Sequence, residues 1–194
     1  VTTPVLHLLA GPNGSGKSTF VADVLAPRVH LRFVNADEIA KEYWPGDEMV
    51  HAPEASALAA AERDRLIAAR ASFISETVFS HASKIDLIRR AGAAGYQVRV
   101  HVVLLPVEVA ILRVKRRVAK GGHDVPEDRI RGRYARLWDL VAEAITLADA
   151  ATVYDNSIAL HPFRPVARFE HGTPVGTPDW PAWTPRPVTS LTAG

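Results

Sequence analysis

The sequence predicts an α/β protein of three layers, a mostly parallel five-stranded sheet with helices on both faces. Three observations carry that expectation. Apolar and β-branched runs alternate with helix-compatible stretches from residue 5 to residue 155, which is the rhythm of a parallel sheet with helical crossovers. The longest β-branched run, QVRVHVVLL at 97–105, stops at Pro106 and reads as a buried strand. Between the first apolar run and the first helical stretch lies GPNGSGKS, residues 11–18, which matches G-x-x-x-x-G-K-[ST] at every fixed position.

The elements follow in order. Residues 5–10 form the first strand and 18–25 the helix after the glycine-rich loop; 31–35 is a short strand and 36–44 a helix closed by Pro45-Gly46. The Ala-rich stretch 53–72 is a helix with proline in its first turn, leading into a strand at 73–76. Residues 81–94 make a helix ended by Gly95, and 107–120 a basic helix broken at Gly121-Gly122. A long helix over 126–147 then precedes the last core strand, 151–155. From His161 the texture changes. Seven of the 14 prolines fall between 162 and 187, so helix or central strand cannot run far there. An edge hairpin around His171-Gly172 and an extended, tryptophan-anchored tail are expected, dividing the chain into a 1–160 domain and a 161–194 extension packed on it.

Composition sets the outer bounds. The 194 residues, 47% hydrophobic and 23% charged, suit one globular domain with a sizeable core. Without cysteine, neither disulfides nor thiolate metal sites are available. No apolar run approaches the roughly 20 residues of a membrane span, and no signal-like segment precedes the first motif, so a cytoplasmic protein is expected.

The loop at 11–18 is built to hold polyphosphate. Gly11, Gly14 and Gly16, with Pro12, Asn13 and Ser15 between them, let backbone N–H groups wrap an anion at a helix N-terminus. In that geometry Lys17 reaches the β and γ phosphates, Ser18 gives its hydroxyl to Mg²⁺, and Thr19 contacts the α phosphate. Asp37, in FVNADEIA at the end of the second strand, is placed either to accept a proton from an acceptor hydroxyl and help hold Mg²⁺, or to cap its helix with Glu38 favouring the dipole. Asn35 is an alternative cap. Glu76, leaving the third strand in SETVFS, reads as an acceptor contact or outer Mg²⁺ partner, with a salt bridge to arginine as the other option. Thr77 and Ser80 add donors.

The cations cluster at 111–136, where nine Lys or Arg face three acids around the Gly-Gly break. Two basic helices about a His-containing loop at 118–130 suggest a lid over phosphates; a nucleic-acid footprint is the competing reading. Arg113 and Arg117 share one helix face, as do Arg129 and Arg133.

GPNGSGKST at 11–19, NADEIA at 35–40, SETVFS at 75–80, the pattern RVxxRVxxGGHDVPEDxIxxRY at 113–134 and YDNS at 154–157 together resemble the zeta toxin family of P-loop kinases, over about residues 4–160. The resemblance implies an adenylate-kinase-like fold with a helical lid and transfer of the γ phosphate of ATP, with Mg²⁺, to a sugar hydroxyl. In the best-understood members that hydroxyl is the 3′-OH of UDP-N-acetylglucosamine, and a cognate antitoxin blocks the ATP site. Carried over by position, Lys17 is the P-loop lysine, Asp37 the base and Glu76 a substrate-contacting glutamate, beside Glu38, Thr77 and Ser80. Arg117, or Arg113, is the arginine that clamps phosphate. Where the toxins carry a lid arginine this chain has His123, with Arg131 or Arg133 as substitutes. A nucleotide-sugar-like acceptor and an antitoxin are the implied partners; a membrane or nucleic acid is not.

Overall fold

A computed structural model describes residues 2–119 and 125–192. Its seven strands are β1 (Val5–Ala10), β2 (Arg32–Val34), β3 (Phe73–Glu76), β4 (Gln97–Leu104), β5 (Ala150–Asp155), β6 (Arg164–Glu170) and β7 (Thr173–Pro174). The helices are α1 (Lys17–Phe20), α2 (Ala36–Tyr43), α3 (Ala52–Ala68), α4 (Ser83–Ala93), α5 (Val107–Val118), α6 (Glu127–Leu147) and the single turn α7 (Arg186–Thr189). α1 continues over Val21–Leu25 with a wider, π-type turn.

All strands join one sheet in the order β2-β3-β1-β4-β5-β6-β7. The first five are mutually parallel, and β6 and β7 extend the sheet antiparallel. The expected five strands are thus the parallel part of a seven-stranded mixed sheet. The edge hairpin expected around His171-Gly172 is β6 with β7, and β6 accommodates Pro165 beside an irregularity at Val153/Tyr154, where the register shifts and the ladder is already interrupted.

Alternation on β1 separates two cores. Leu6, Leu8 and Ala10 face the larger one, shared with α3, α4 and α6; Leu9 faces the smaller one, shared with Phe20, Val21 and Leu25 of the P-loop helix. β1 is buried on both faces because it lies centrally, between β3 and β4. Trp180 and Trp183 of the C-terminal segment pack against the larger core, and the Trp180 indole N–H donates to Thr192 Oγ1 at 3.0 Å. That segment is not wholly extended, since it ends in α7 and a 3₁₀ turn over Ser190–Thr192.

This topology positions the site. β1 and β3 are neighbours, so the glycine-rich loop after β1 and Glu76 at the end of β3 emerge side by side at the carboxyl edge, where open α/β sheets bind ligands.

Candidate active site

The loop after β1 needs its glycines. Gly11 has φ of 148°, and a Cβ there would come within 2.5 Å of the Val103 carbonyl oxygen; Gly16 has φ of 91°, and a Cβ would meet Asn156 Nδ2 at 2.8 Å. Both are positions where L side chains are strained as well as crowded. Asn156 explains the second contact: its buried side-chain amide donates to the Ser15 carbonyl at 2.7 Å, tying the loop after β5 to the P-loop. Inside the loop, Lys17 Nζ donates to the Gly11 and Pro12 carbonyls at 3.0 Å each. Burial pulls the Lys17 ammonium below its ordinary pKa, and the charges of Glu76 and Asp37 oppose that shift.

Glu76 is the hub. Its carboxylate accepts from Ser18 Oγ at 2.7 Å and from Asn35 Nδ2 at 2.9 Å, and lies 3.8 Å from Lys17 Nζ. Its ionic partner is therefore a lysine of the loop, not an arginine. Asn35 does two jobs with one amide. Its oxygen accepts from the Asp37 backbone N–H at 2.7 Å, capping α2, while its nitrogen goes to Glu76. Capping is thereby taken by Asn35, and the exposed Asp37 carboxylate is left for other chemistry, close enough for its charge to act on Lys17.

The arginines divide. Arg133 donates to Asn13 Oδ1 at 3.5 Å, a long contact, and its positive field, like that of Arg117, reaches Lys17. Arg113 donates to the Asn156 carbonyl at 2.8 Å, and partial burial lowers its pKa. Arg131 is not in the cradle. It forks onto Glu108 at 2.8 and 3.0 Å and onto Glu127 at 2.9 and 3.1 Å on the exposed face of α5 and α6. Glu38 likewise turns to Lys41, 2.8 Å away and one turn on. Thr77 extends the β3–β1 ladder through its N–H to the Leu9 carbonyl at 3.3 Å, and its hydroxyl donates to the Val78 carbonyl at the same distance; Ser80 N–H donates to that carbonyl at 2.8 Å. His123, with the rest of residues 120–124 of the lid expected over 118–130, lies outside the described residues. The flanks of that loop are anchored: Val125 and Ile130 pack on Ile111 and Val114, and Lys115 pairs with Glu127 at 2.8 Å.

Beside the loop a cavity of about 610 Å³ is lined by Gly14, Thr19, Arg113, Tyr154, Asn156 and Phe163 among others. Phe163, with φ of 55°, meets Phe20 edge-on at 5.2 Å between centroids, and Phe20 meets Tyr154 at 4.7 Å. The roles of Asn156, Tyr154 and Phe163 escaped the sequence-based assignment; the signal available was the YDNS segment closing β5. Among the described residues no three His, Asp or Glu side chains cluster as a metal cage. The Ser18–Glu76 pair, with Asp37 nearby, fits Mg²⁺ instead, which takes few protein oxygens and keeps water and phosphate for the rest. Among the described residues no helix is long and apolar enough to cross a membrane.

Known proteins resemble this chain in sequence and in fold. The sequence profile described as zeta toxin matches residues 2–162. An uncharacterized protein of Haemophilus influenzae is 30% identical over 125 residues, covering 64% of this chain and 88% of that one. The PezAT chromosomal toxin–antitoxin system of Streptococcus pneumoniae superposes with a TM-score of 0.63 at 14% identity, over 80% of this chain and 68% of that one. The AvrRxo1-ORF1:AvrRxo1-ORF2 complex with ATP gives 0.70 at 17% identity, over 89% and 60%. With the family profile spanning most of the sequence and the P-loop kinase fold in place, the chain belongs to the zeta toxin family.

Proposed function

We propose that this protein is an ATP-dependent small-molecule kinase that transfers the γ phosphate to a sugar hydroxyl. The observation that carries the reading is the convergence of Lys17, Ser18 and Asn35 on Glu76, with the Asp37 carboxylate left out of the capping. The glycine loop and Lys17 hold the polyphosphate, and the adjoining cavity takes the nucleoside, walled by Phe163, Tyr154 and Arg113. Bound Mg²⁺ supplies neutralisation of the β and γ oxygens; Ser18 and Asp37 are the residues that would hold it, with Glu76 ordering the Ser18 hydroxyl. Asp37 orients the acceptor hydroxyl and accepts its proton. Arg117 and Arg133 offset charge on the transferring group.

The family supports a nucleotide-sugar acceptor, and the 3′-hydroxyl of UDP-N-acetylglucosamine is the specific candidate. ADP release should depend on that sugar nucleotide and vanish in Asp37→Ala while ATP binding persists. Indifference of ADP release to UDP-N-acetylglucosamine overturns the acceptor assignment, and mass spectrometry of a metabolite pool incubated with ATP and Mg²⁺ then finds the species that gains a phosphate. The nucleic-acid reading loses support because cations of the basic segment are spent internally, Arg131 on Glu108 and Glu127 and Lys115 on Glu127. A protein partner that covers the nucleotide cradle, as an antitoxin would, is part of the same proposal; such a partner lowers ATP affinity in direct titration.

A further inference from the structure

The cleft between α3 and α4 lies apart from the P-loop and holds an unexplained cation. α3 buries Ala55, Ala59, Arg63 and Leu66, a stripe on one face of the helix. One member of that stripe is an arginine only 9% exposed. Among the described residues its guanidinium makes no hydrogen bond or ion pair. Asp64, whose charge it feels, instead accepts from Arg90 at 2.9 Å. The half-buried Lys84 of α4 faces the same space. Burial, and then the neighbouring Arg63 charge, lower its ammonium pKa. Ser56, Ala60, Arg63, Ser83, Lys84 and Arg90 line a cavity of about 400 Å³ between the two helices.

Arg63 and Lys84 set two cations on one cleft, where they repel each other and, among the described residues, neither is hydrogen-bonded to a carboxylate. Simple packing at position 63 would be served by leucine or methionine. The small side chains Ala57 and Ala60 keep the space open, and the guanidinium fork together with a mobile ammonium matches phosphate oxygens. Ser56 and Ser83 stand near the starts of α3 and α4, and α4 begins seven residues after Glu76. We propose that the α3–α4 cleft binds a phosphate group, clamped by Arg63 and Lys84 and contacted by the two serine hydroxyls. The phosphate belongs either to the acceptor or to a separate phosphorylated effector.

The test is calorimetric titration of pyrophosphate into the full chain carrying Lys17→Ala, which weakens the P-loop as a competing site. Adding Arg63→Met to that protein should weaken binding at least tenfold, and adding Lys84→Gln, on a more exposed and forgiving position, should weaken it severalfold. Thermal unfolding without anion should show Arg63→Met no less stable than its parent. Absence of pyrophosphate binding to the Lys17→Ala protein, or equal affinity with and without Arg63 and Lys84, overturns the proposal. In the Lys17 background, a raised KM for a phosphate-bearing acceptor at unchanged kcat in Arg63→Met assigns the phosphate to the acceptor. An unmoved KM alongside lost pyrophosphate affinity assigns it to an effector. The titration reads binding alone, so failure of the kinase reading leaves its outcome intact.

Discussion

Ser18 and Glu76, 58 residues apart in sequence, are joined by a 2.7 Å hydrogen bond across the carboxyl ends of β1 and β3. That bond ties the Ser18 hydroxyl, at the end of the phosphate cradle, to a carboxylate that also touches Asn35 and faces Lys17. It follows that changes at Glu76 alter metal use first. Glu76→Gln keeps the shape and removes the charge, so the Mg²⁺ concentration giving half-maximal phosphotransfer should rise on the order of tenfold, within the range seen for outer-shell partners of metals. Nucleotide affinity measured without metal should change little. Metal titration of the rate checks this, and an unchanged Mg²⁺ dependence removes Glu76 from the metal site.

Asn35 and Asp37 separate stability from chemistry on one helix start. Asn35→Ala loses the α2 cap and should cost roughly 0.5–2 kcal/mol in urea unfolding. Asp37→Asn leaves that cap in place, so unfolding should be nearly unchanged while kcat falls by about 10²–10⁴. If Asp37→Asn unfolds early and still turns over, the roles are reversed.

Asn156 is a keystone between the loop after β5 and the P-loop. Asn156→Leu removes the donor to the Ser15 carbonyl and leaves that buried acceptor unpaired, at a cost of about 1–3 kcal/mol. Because the same residue lines the cavity beside the P-loop, KM for ATP should rise in step. A stable variant with normal KM would show that the two loops do not depend on each other.

His7 and His101 supply a pH signature. The two rings stack within the sheet at 5.3 Å, with His7 Nδ1 and His101 Nε2 3.0 Å apart. Burial holds His7 near a pKa of about 4 and His101 near about 3, against 6.5 when free, with the charge of Arg99 pushing the same way. Both pKa values are depressed on folding, so the unfolded chain binds more protons between them and 6.5. Stability is then fully present above pH 6.5 and falls as the solution is acidified towards pH 4. For His7 alone the loss is on the order of 3 kcal/mol. Urea unfolding at pH 7 and pH 4.5 measures it, and His7→Gln should flatten the difference; a pH dependence unchanged by that substitution rules out the pair as its source.

Lys17→Met tests the cradle itself. The ammonium is buried, with hydrogen bonds to the Gly11 and Pro12 carbonyls, so an apolar isostere fills the space and deletes the charge. Phosphotransfer should fall by about 10³ or more, as expected when a charge that stabilises the transition state is lost, while unfolding free energy holds or rises. Retained turnover would place the phosphate elsewhere.

What the sequence determined by itself was what local pattern can carry. The glycine spacing and the lysine after it specify a phosphate cradle, because the backbone conformations needed at Gly11 and Gly16 exclude side chains. Alternation of apolar runs with helices specified the five parallel strands, but the sequence left the cap of α2 open between Asn35 and Asp37. Tertiary structure decided everything that depends on which distant groups meet. Strand order set β3 against β1 and so gave Glu76 to Ser18 and Lys17. The fork of Glu108 and Glu127 drew Arg131 away and left Arg133 at the loop. The edge hairpin around His171-Gly172 was legible, but its pairing with β5 and the register shift beside Pro165 were not. Packing of α3 on α4 set Arg63 and Lys84 on one cleft, a meeting no local pattern announces. Charges exert their chemistry through distance and burial, and neither is written in the order of residues along the chain.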